Sequence, residues 1–387
     1  KEYNELVVAA PRADLGDVNV DAKIIATGAF SGNISLRSIN APNIENVGNY
    51  AFAGCINLVS VKIDAAKTIG DYAFYGCSSL TATPDLKDIT SIGSYAFAMT
   101  AVKSVTIPND AVVGDYAFAR CYNNNTKEYS LTDVTIGDNA TIGEGVFFNG
   151  WGGMLEYTSS SITQAYINAY YNKYKEESST SSSGVKTTYT YYKLNLDRDS
   201  SGTIQTIPSV IKNVTIGEGA TICNYAFAAA GNLVSLDLAG GVKIGNYAFA
   251  NAISLESVDL SGVAELGEYS FAGMNYRDWM IITQSITSGG KEQVISQSLS
   301  YAYEKFTEDG VDMVRYLYTT AAPKFTEVNL ESLKKFGAGA FVNNVNLKTV
   351  NLGTGIKELP EYAFANSGVE TINLSNIVKL GDRALYN

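Results

Sequence analysis

The sequence predicts a repeat solenoid, a stack of near-identical coils with short parallel strands and short helical turns. Three observations predict it. A phrase I-G-x-Y-A-F recurs along the chain, a second phrase L-x-x-V-x-I follows it, and the pair returns about every 22 residues. A unit that small cannot bury its own apolar side, so the copies must pile on one another.

Aligned on its phenylalanine, the first phrase places Phe30, Phe52, Phe74, Phe97, Phe118, Phe147, Phe227, Phe249, Phe271, Phe341 and Phe364, with Leu385 in the last copy. The steps are 22, 22, 23, 21, 29, 80, 22, 22, 70, 23 and 21 residues, twelve copies on one base period. The second phrase reads "LVSVKI" (58–63), "LTDVTI" (131–136), "LVSLDL" (233–238), "LESVDL" (255–260) and "LKTVNL" (347–352). Apolar and polar residues alternate there, with β-branched side chains, which predicts a strand. One strand per copy makes neighbours parallel at ~4.8 Å, so twelve rungs would run roughly 55–60 Å.

Within "IGDYAFYGC" (69–77), Gly70 is expected to allow a close approach or a positive φ. Tyr72-Ala73-Phe74 is expected to form one short turn of helix, with Ala73 small enough to let it lie close. Phe74 should face inward onto Phe52 and Phe97, each ring burying about 1.5–3 kcal/mol of apolar surface. Some copies depart: Cys223 and Pro360 stand at the glycine position, and Gly28, Gly145, Gly339 and Arg383 at the tyrosine position. "LTATPD" (80–85) makes a poor strand.

Composition narrows the function. The chain has 387 residues, a net charge of −11 and no clustered basic stripe, which argues against nucleic acid and anionic membranes. It has no histidine, which removes Ser-His-Asp triads, Cys-His pairs and the usual zinc and iron sites. The four cysteines form no C-x-x-C. No apolar run approaches the roughly 18 residues of a membrane span. "KEYNELVVAAPRADLG" lacks the pattern of a signal peptide, and the chain reads as a mature form from which one was removed.

Read together as I-G-x-x-A-F-x-G-C-x-x-L-x-x-V-x-I-P, the phrases in "VGNYAFAGCINLVSVKI" (47–63) and "IGDYAFYGCSSL" (69–80) carry a resemblance. The chain resembles the BspA-like, treponemal-type leucine-rich repeat family of bacterial surface proteins. The resemblance covers roughly 25–387 apart from two inserted blocks. It implies a right-handed leucine-rich-repeat coil, export, attachment at the cell surface (a lipid anchor on a removed segment being one mode) and binding of host proteins or other cells. It implies no catalytic residues and no cofactor, hence no enzyme.

Cys55, Cys77 and Cys121 each lie three residues after the repeat phenylalanine, so Cys55 and Cys77 should stack on successive rungs. A buried thiol ladder, a disulfide between those two, and a reactive or metal-binding thiol are the readings open to them.

The long steps of 29, 80 and 70 residues all fall after the phenylalanine and before the next strand. Extensions at one phase of a solenoid leave by one edge. The expected domains are a cap (1–24), repeats (25–148), a first insertion (149–208), repeats (209–272), a second insertion (273–323) and repeats (324–387). The two insertions, about three rungs and so roughly 15 Å apart, are expected to form one joint protrusion. Trp151, Trp279 and thirteen of the 26 tyrosines lie in them. "SITQAYINAYYNKYKEE" (161–177) reads as an amphipathic helix, "SSTSSSG" (178–184) as a flexible connection and "VKTTYTYYKLNL" (185–196) as a strand, and the second block repeats the plan. Both blocks are expected to hold hairpins.

Two readings compete for these aromatics. They glue the blocks together, or part of them, Trp151, Tyr170, Tyr171, Tyr191, Trp279, Tyr301, Tyr303 and Tyr316, face solvent as a recognition patch for protein or glycan. A weak calcium candidate lies in "DRDSSGTIQTIP" (197–208), where Asp197, Asp199 and Ser201 take the spacing of a calcium loop but Pro208 replaces its final glutamate.

The leading functional expectation is a secreted, surface-bound adhesin that binds host or bacterial surface protein through the repeat face and the aromatic insertions. Lys62, Thr106, Thr135, Thr215, Asp237, Asp259, Asn329, Asn351 and Asn373 would line the repeat face, or simply solvate it. The alternatives are a carbohydrate-binding surface protein, a glycan-active enzyme using a pair among Glu156, Glu176, Asp278 and Asp312, and a structural spacer.

Overall fold

The computed structural model of the chain describes residues 5–6, 14–123, 126, 128–149, 167, 171–195, 209–288, 291–308 and 311–386. The chain divides into two compact units. Unit 1 comprises Lys1–Gly153, Ile207–Gly273 and Ala322–Asn387, and unit 2 comprises Met154–Thr206 and Met274–Ala321.

Unit 1 is built of parallel strands apart from one short antiparallel pair, Tyr122–Asn123 with Glu128–Tyr129, and its longest ladder lies where the sequence reading placed none. The two residues just before the glycine position of most copies pair in an 11-stranded parallel sheet running from Glu5–Leu6 through Thr68–Ile69 and Thr141–Ile142 to Lys335–Phe336, and Glu358–Leu359 pairs with Lys379–Leu380 in a sheet of their own. The second phrase forms shorter parallel sheets. One joins Ser104–Ile107, Asp133–Ile136, Asn213–Ile216 and Ser235–Leu238, with Val105, Val134, Val214 and Leu236 in one buried row. Residues 80–85 form no strand, and neither does "LESVDL" (255–260), which buries Leu255, Val258 and Leu260 without ladder hydrogen bonds.

The core is a column of phenylalanines. Phe30, Phe52, Phe74, Phe97 and Phe118 stack with centroids 5.0–5.1 Å apart and planes within 10°. The column continues across both insertions, Phe147 to Phe227 at 4.7 Å and Phe271 to Phe341 at 5.9 Å. Every ring in it is buried. Leu385, at the equivalent position of the last copy, is 37% exposed.

The expected helical turns do not form, and the hydrogen bonds say why. Tyr72, Phe74 and Gly76 give their N–H groups to Ser94, Ala96 and Ala98 of the next rung, at 2.9, 2.7 and 3.0 Å. Only the alternate groups bond locally, Tyr75 N to Tyr72 O at 3.1 Å among them. A helix needs all of those donors for itself. The backbone follows suit, with Tyr50, Tyr72 and Tyr95 each at φ 56° in the left-handed region. Gly28, Gly145 and Gly339 at this position also have positive φ. Gly145 is required for a second reason, because a side chain there would meet Cε1 of Tyr116 at 2.5 Å.

Gly70, by contrast, serves close approach alone. A Cβ on it would sit 2.7 Å from Asn49 N, because Asn49 Oδ1 accepts the N–H of Asp71 at 2.9 Å. The same bond recurs from Ser94 N to Asp71 Oδ1, Glu144 N to Asp115 Oδ1, and Glu268 N to Asn246 Oδ1, each at 2.8 Å. Beside it the Tyr50, Tyr72, Tyr95 and Tyr116 rings stack at 4.8–5.2 Å. The faces of Tyr72 and Tyr95 are therefore covered by their neighbours, while Tyr50, at the end of the stack, is 46% exposed.

No disulfide joins Cys55 and Cys77. Both thiols are free and buried, donating to Phe30 O and Phe52 O of the preceding rung at 3.1 Å each. Asn344 makes the same contact with its amide, to Phe271 O at 2.9 Å.

In unit 2 the two inserted blocks share one sheet. Its strands run Tyr171–Thr180, Lys186–Leu194, Trp279–Ser288 and Lys291–Tyr301, all antiparallel. The helix expected over 161–177 is thus overturned at 171–177. Residues 171–180 are strand because Lys186–Leu194 folds back onto them, and tyrosine suits a pleated surface. The expected flexible connection is a turn closed by Ser181 N to Val185 O at 2.9 Å. Tyr303–Glu308 and Val311–Tyr316 form a further hairpin.

Candidate ligand pocket in the inserted blocks

Strand alternation puts every second residue on one face. Register then sets Lys175, Tyr191 and Met280 in one row across three strands, and Glu177, Tyr189 and Ile282 in the next. Tyr191 and Met280 pack with Ala302 as a small buried cluster, against which Tyr189 and Tyr303 are partly buried. The strand Tyr303–Glu308 starts directly after Ala302, which is held by its own N–H to Asp278 O at 2.8 Å and by Leu317 N to its carbonyl at 2.9 Å. The result is a cavity of about 450 Å³ lined by Lys175, Glu177, Tyr189, Tyr191, Met280, Tyr303, Glu304 and Lys305.

Internal bonds fix most of its charges. Lys175 Nζ lies 2.8 Å from Glu177 Oε1 and 5.0 Å above the Tyr191 ring. The Tyr191 hydroxyl donates to Glu177 Oε2 at 3.2 Å. Glu304 Oε2 pairs with Arg315 Nη2 at 2.8 Å. The bond from Lys175, joined by that from Tyr191, holds the Glu177 carboxyl below its ordinary range. Burial, with the Glu177 charge beside it, pushes Tyr191 up to about 12, so the phenol stays a proton donor.

A bulge lies just before Lys175. Register shifts between Lys173 and Lys175, leaving Tyr174 as the extra residue. Bulges re-aim side chains, and the Tyr174 hydroxyl here donates to Asp278 Oδ2 at 3.1 Å, while Thr319 Oγ1 donates to Oδ1 at 2.6 Å. Asp278 is 5% exposed, and burial pushes its carboxyl above the usual range against those two bonds.

Of the residues expected to bind, Tyr191 and Tyr303 line the cavity, and Tyr171 is buried away from its lining. Trp151 and Tyr170 lie outside the described residues, as do Asp197, Asp199, Ser201 and Glu156. Trp279, Tyr301 and Tyr316 are placed by backbone only, opposite Tyr192, Trp279 and Tyr303 respectively; their side chains and that of Asp312 lie outside the description. Glu176 is exposed beside Lys173 and Thr190. Lys175, Glu177, Tyr189, Met280, Glu304 and Lys305 were not singled out from the sequence as site residues. On unit 1, Lys62, Thr106, Thr135, Thr215, Asp237, Asp259, Asn351 and Asn373 are exposed and Asn329 is half-buried. Among the described residues no cluster of three or more Cys, Asp or Glu could hold a metal ion, and no helix is long and apolar enough to cross a membrane.

Stacked copies of one rung around a buried phenylalanine column define a repeat protein of the leucine-rich class. The BspA type leucine rich repeat region matches residues 17–125, 208–303 and 315–387 in 6 copies, well over half of the chain, and the chain belongs to that family. No curated protein matches it. Among solved structures, a leucine-rich repeat protein from Bacteroides ovatus is 21% identical, with 93% of each chain covered and a TM-score of 0.27. A leucine rich cell surface protein from Faecalibacterium prausnitzii is 16% identical, covering 95% of this chain and 78% of its own, at 0.33. The pneumococcal vaccine antigen PcpA is 16% identical, covering 96% and 82%, at 0.36. Membership rests on the repeat itself.

Proposed function

We propose that the chain is a bacterial cell-surface binding protein, an adhesin whose repeats serve as scaffold and whose inserted unit takes the ligand, a host protein or another cell's surface. The reading treats unit 1 as a right-handed solenoid of twelve rungs. The observation that carries it is the concave cavity of about 450 Å³ in unit 2, within the ~300–1,000 Å³ usual for ligand sites, lined by Tyr189, Tyr191 and Tyr303. Family membership supports the surface location. The stacked tyrosines of unit 1 support it by contrast, since the inner rings, Tyr72 and Tyr95, cover one another's faces. Trp151, Tyr170, Trp279, Tyr301 and Tyr316 are proposed to extend the aromatic surface.

The second reading, glycan recognition, is favoured by one feature, the tyrosine rings set beside carboxylates in a pocket with room for a sugar or two. A glycan array and a panel of immobilised host surface proteins, probed with wild type and Tyr303→Ala, separate the readings. Binding in either screen that falls with Tyr303→Ala supports the pocket. Binding that persists in the variant, with its melting temperature unchanged, places recognition elsewhere.

A further inference from the structure

We infer that the pocket of unit 2 takes a sugar carrying an acidic group, with the Lys305 ammonium as the seat of the anion. This rests on the reading that the pocket is the recognition site. Two lysines and two glutamates line it, but they are not equivalent. Glu177 is engaged by both Lys175 and the Tyr191 hydroxyl, and Glu304 by Arg315. Lys305 has no carboxylate within ion-pair distance among the described residues. A charge already matched inside the protein offers a ligand little. Lys305 is exposed at the cavity lining, and its unmatched ammonium gains as a ligand displaces water and lowers the local dielectric.

The other ligand classes fit less well. A zwitterion needs an unmatched carboxylate beside the unmatched ammonium, and both glutamates are already paired. A cationic ligand would meet Lys305 unopposed. A neutral one would give the exposed Lys305 ammonium no opposite charge.

The remaining lining selects a sugar among anions. Lys175 covers the Tyr191 ring, which leaves the half-buried Tyr189 and Tyr303 to offer faces to the C–H side of a pyranose. Each carboxylate has about four acceptor sites, and the internal bonds of Glu177 and Glu304 leave acceptors for ligand hydroxyls. A fatty acid would bring no donors to them. A carboxylate and a sulfate both satisfy an ammonium, and the probes below distinguish them.

The test uses the full chain and titration calorimetry with glucuronic acid, galacturonic acid, N-acetylneuraminic acid and galactose 6-sulfate, against glucose and galactose. Acidic sugars are expected to bind at least about tenfold more tightly than their neutral parents, the worth of one charge-assisted hydrogen bond. Lys305→Gln should erase that difference and Lys305→Arg should keep it, with melting temperatures showing each variant folded. Equal binding of acidic and neutral sugars, or no binding by any, overturns the inference. If Lys305→Gln changes nothing while Tyr303→Ala abolishes binding, the anion seat is wrong and the pocket stands. If Tyr303→Ala also changes nothing, the pocket reading falls with it.

Discussion

The side-chain Oδ1 of Asp71 accepts the backbone N–H of Ser94 at 2.8 Å, tying one rung to the next. Asn49 does the same for Asp71 and Asn246 for Glu268. Removing the acceptor leaves the Ser94 N–H to water in place of the rung-to-rung bond. Asp71→Ala is expected to cost about 1 kcal/mol of unfolding free energy, and Asp71→Asn far less. Chemical denaturation of the two variants checks the difference.

The phenylalanine column and the tyrosine column stack alike but differ in burial. Phe74 is fully buried, whereas Tyr72 is half-buried with its edge in solvent. Phe74→Ala should cost about 3–5 kcal/mol through the cavity it leaves, and Tyr72→Ala about 1 kcal/mol through lost stacking. Equal losses in a melting experiment would contradict the division between core and surface column.

The phenylalanine column was legible in the sequence because each rung needs one large buried group, so Phe52, Phe74 and Phe97 return at the repeat period. The polar ladder was not. Asn49, Asp71 and Asp115 look like ordinary surface residues until the next rung's N–H is in view. Helical turns were expected because Tyr-Ala-Phe permits them locally, but the neighbouring rung captured the donors first. In unit 2, Tyr191 and Tyr303 could be chosen by residue type. Lys175 was hidden inside the expected helix, and Glu177 and Tyr189 gained meaning only from hairpin register. A period-two reading, Lys175 with Glu177 and Tyr189 with Tyr191, was the available signal.

The buried thiols set an alkaline limit. Burial pushes Cys55 from 9.0 up to about 11 and Cys121 up to about 12, and raises Cys77 as well. The folded state holds these protons more tightly than the unfolded chain. The stability they lend is complete below pH 9 and drains away as pH climbs through 11 and 12. Replacing Cys55 and Cys121 with alanine should flatten that decline. At neutral pH, Cys223, only half-buried, is expected to react with a thiol reagent first, and the other three only on unfolding.

Asp278 supplies a test inside unit 2. Its carboxyl is raised by burial and partly brought back by bonds from Thr319 and Tyr174. Tyr174→Phe removes a donor that favours the charged form, so the Asp278 pKa should rise further. Carbon-13 NMR titration of the side-chain carboxyl reads this directly, and a fall would contradict the assigned hydrogen bond.

Hydrogen–deuterium exchange of the full chain, with and without a saturating ligand from the binding screens, tests most directly where recognition takes place. Slowed exchange at 175–177, 189–191 and 303–305 is expected, with the outer strand rows of unit 1 unchanged. Slowing confined to the rows around Thr106, Thr135 and Thr215, with unit 2 untouched, would contradict a pocket-based binding protein.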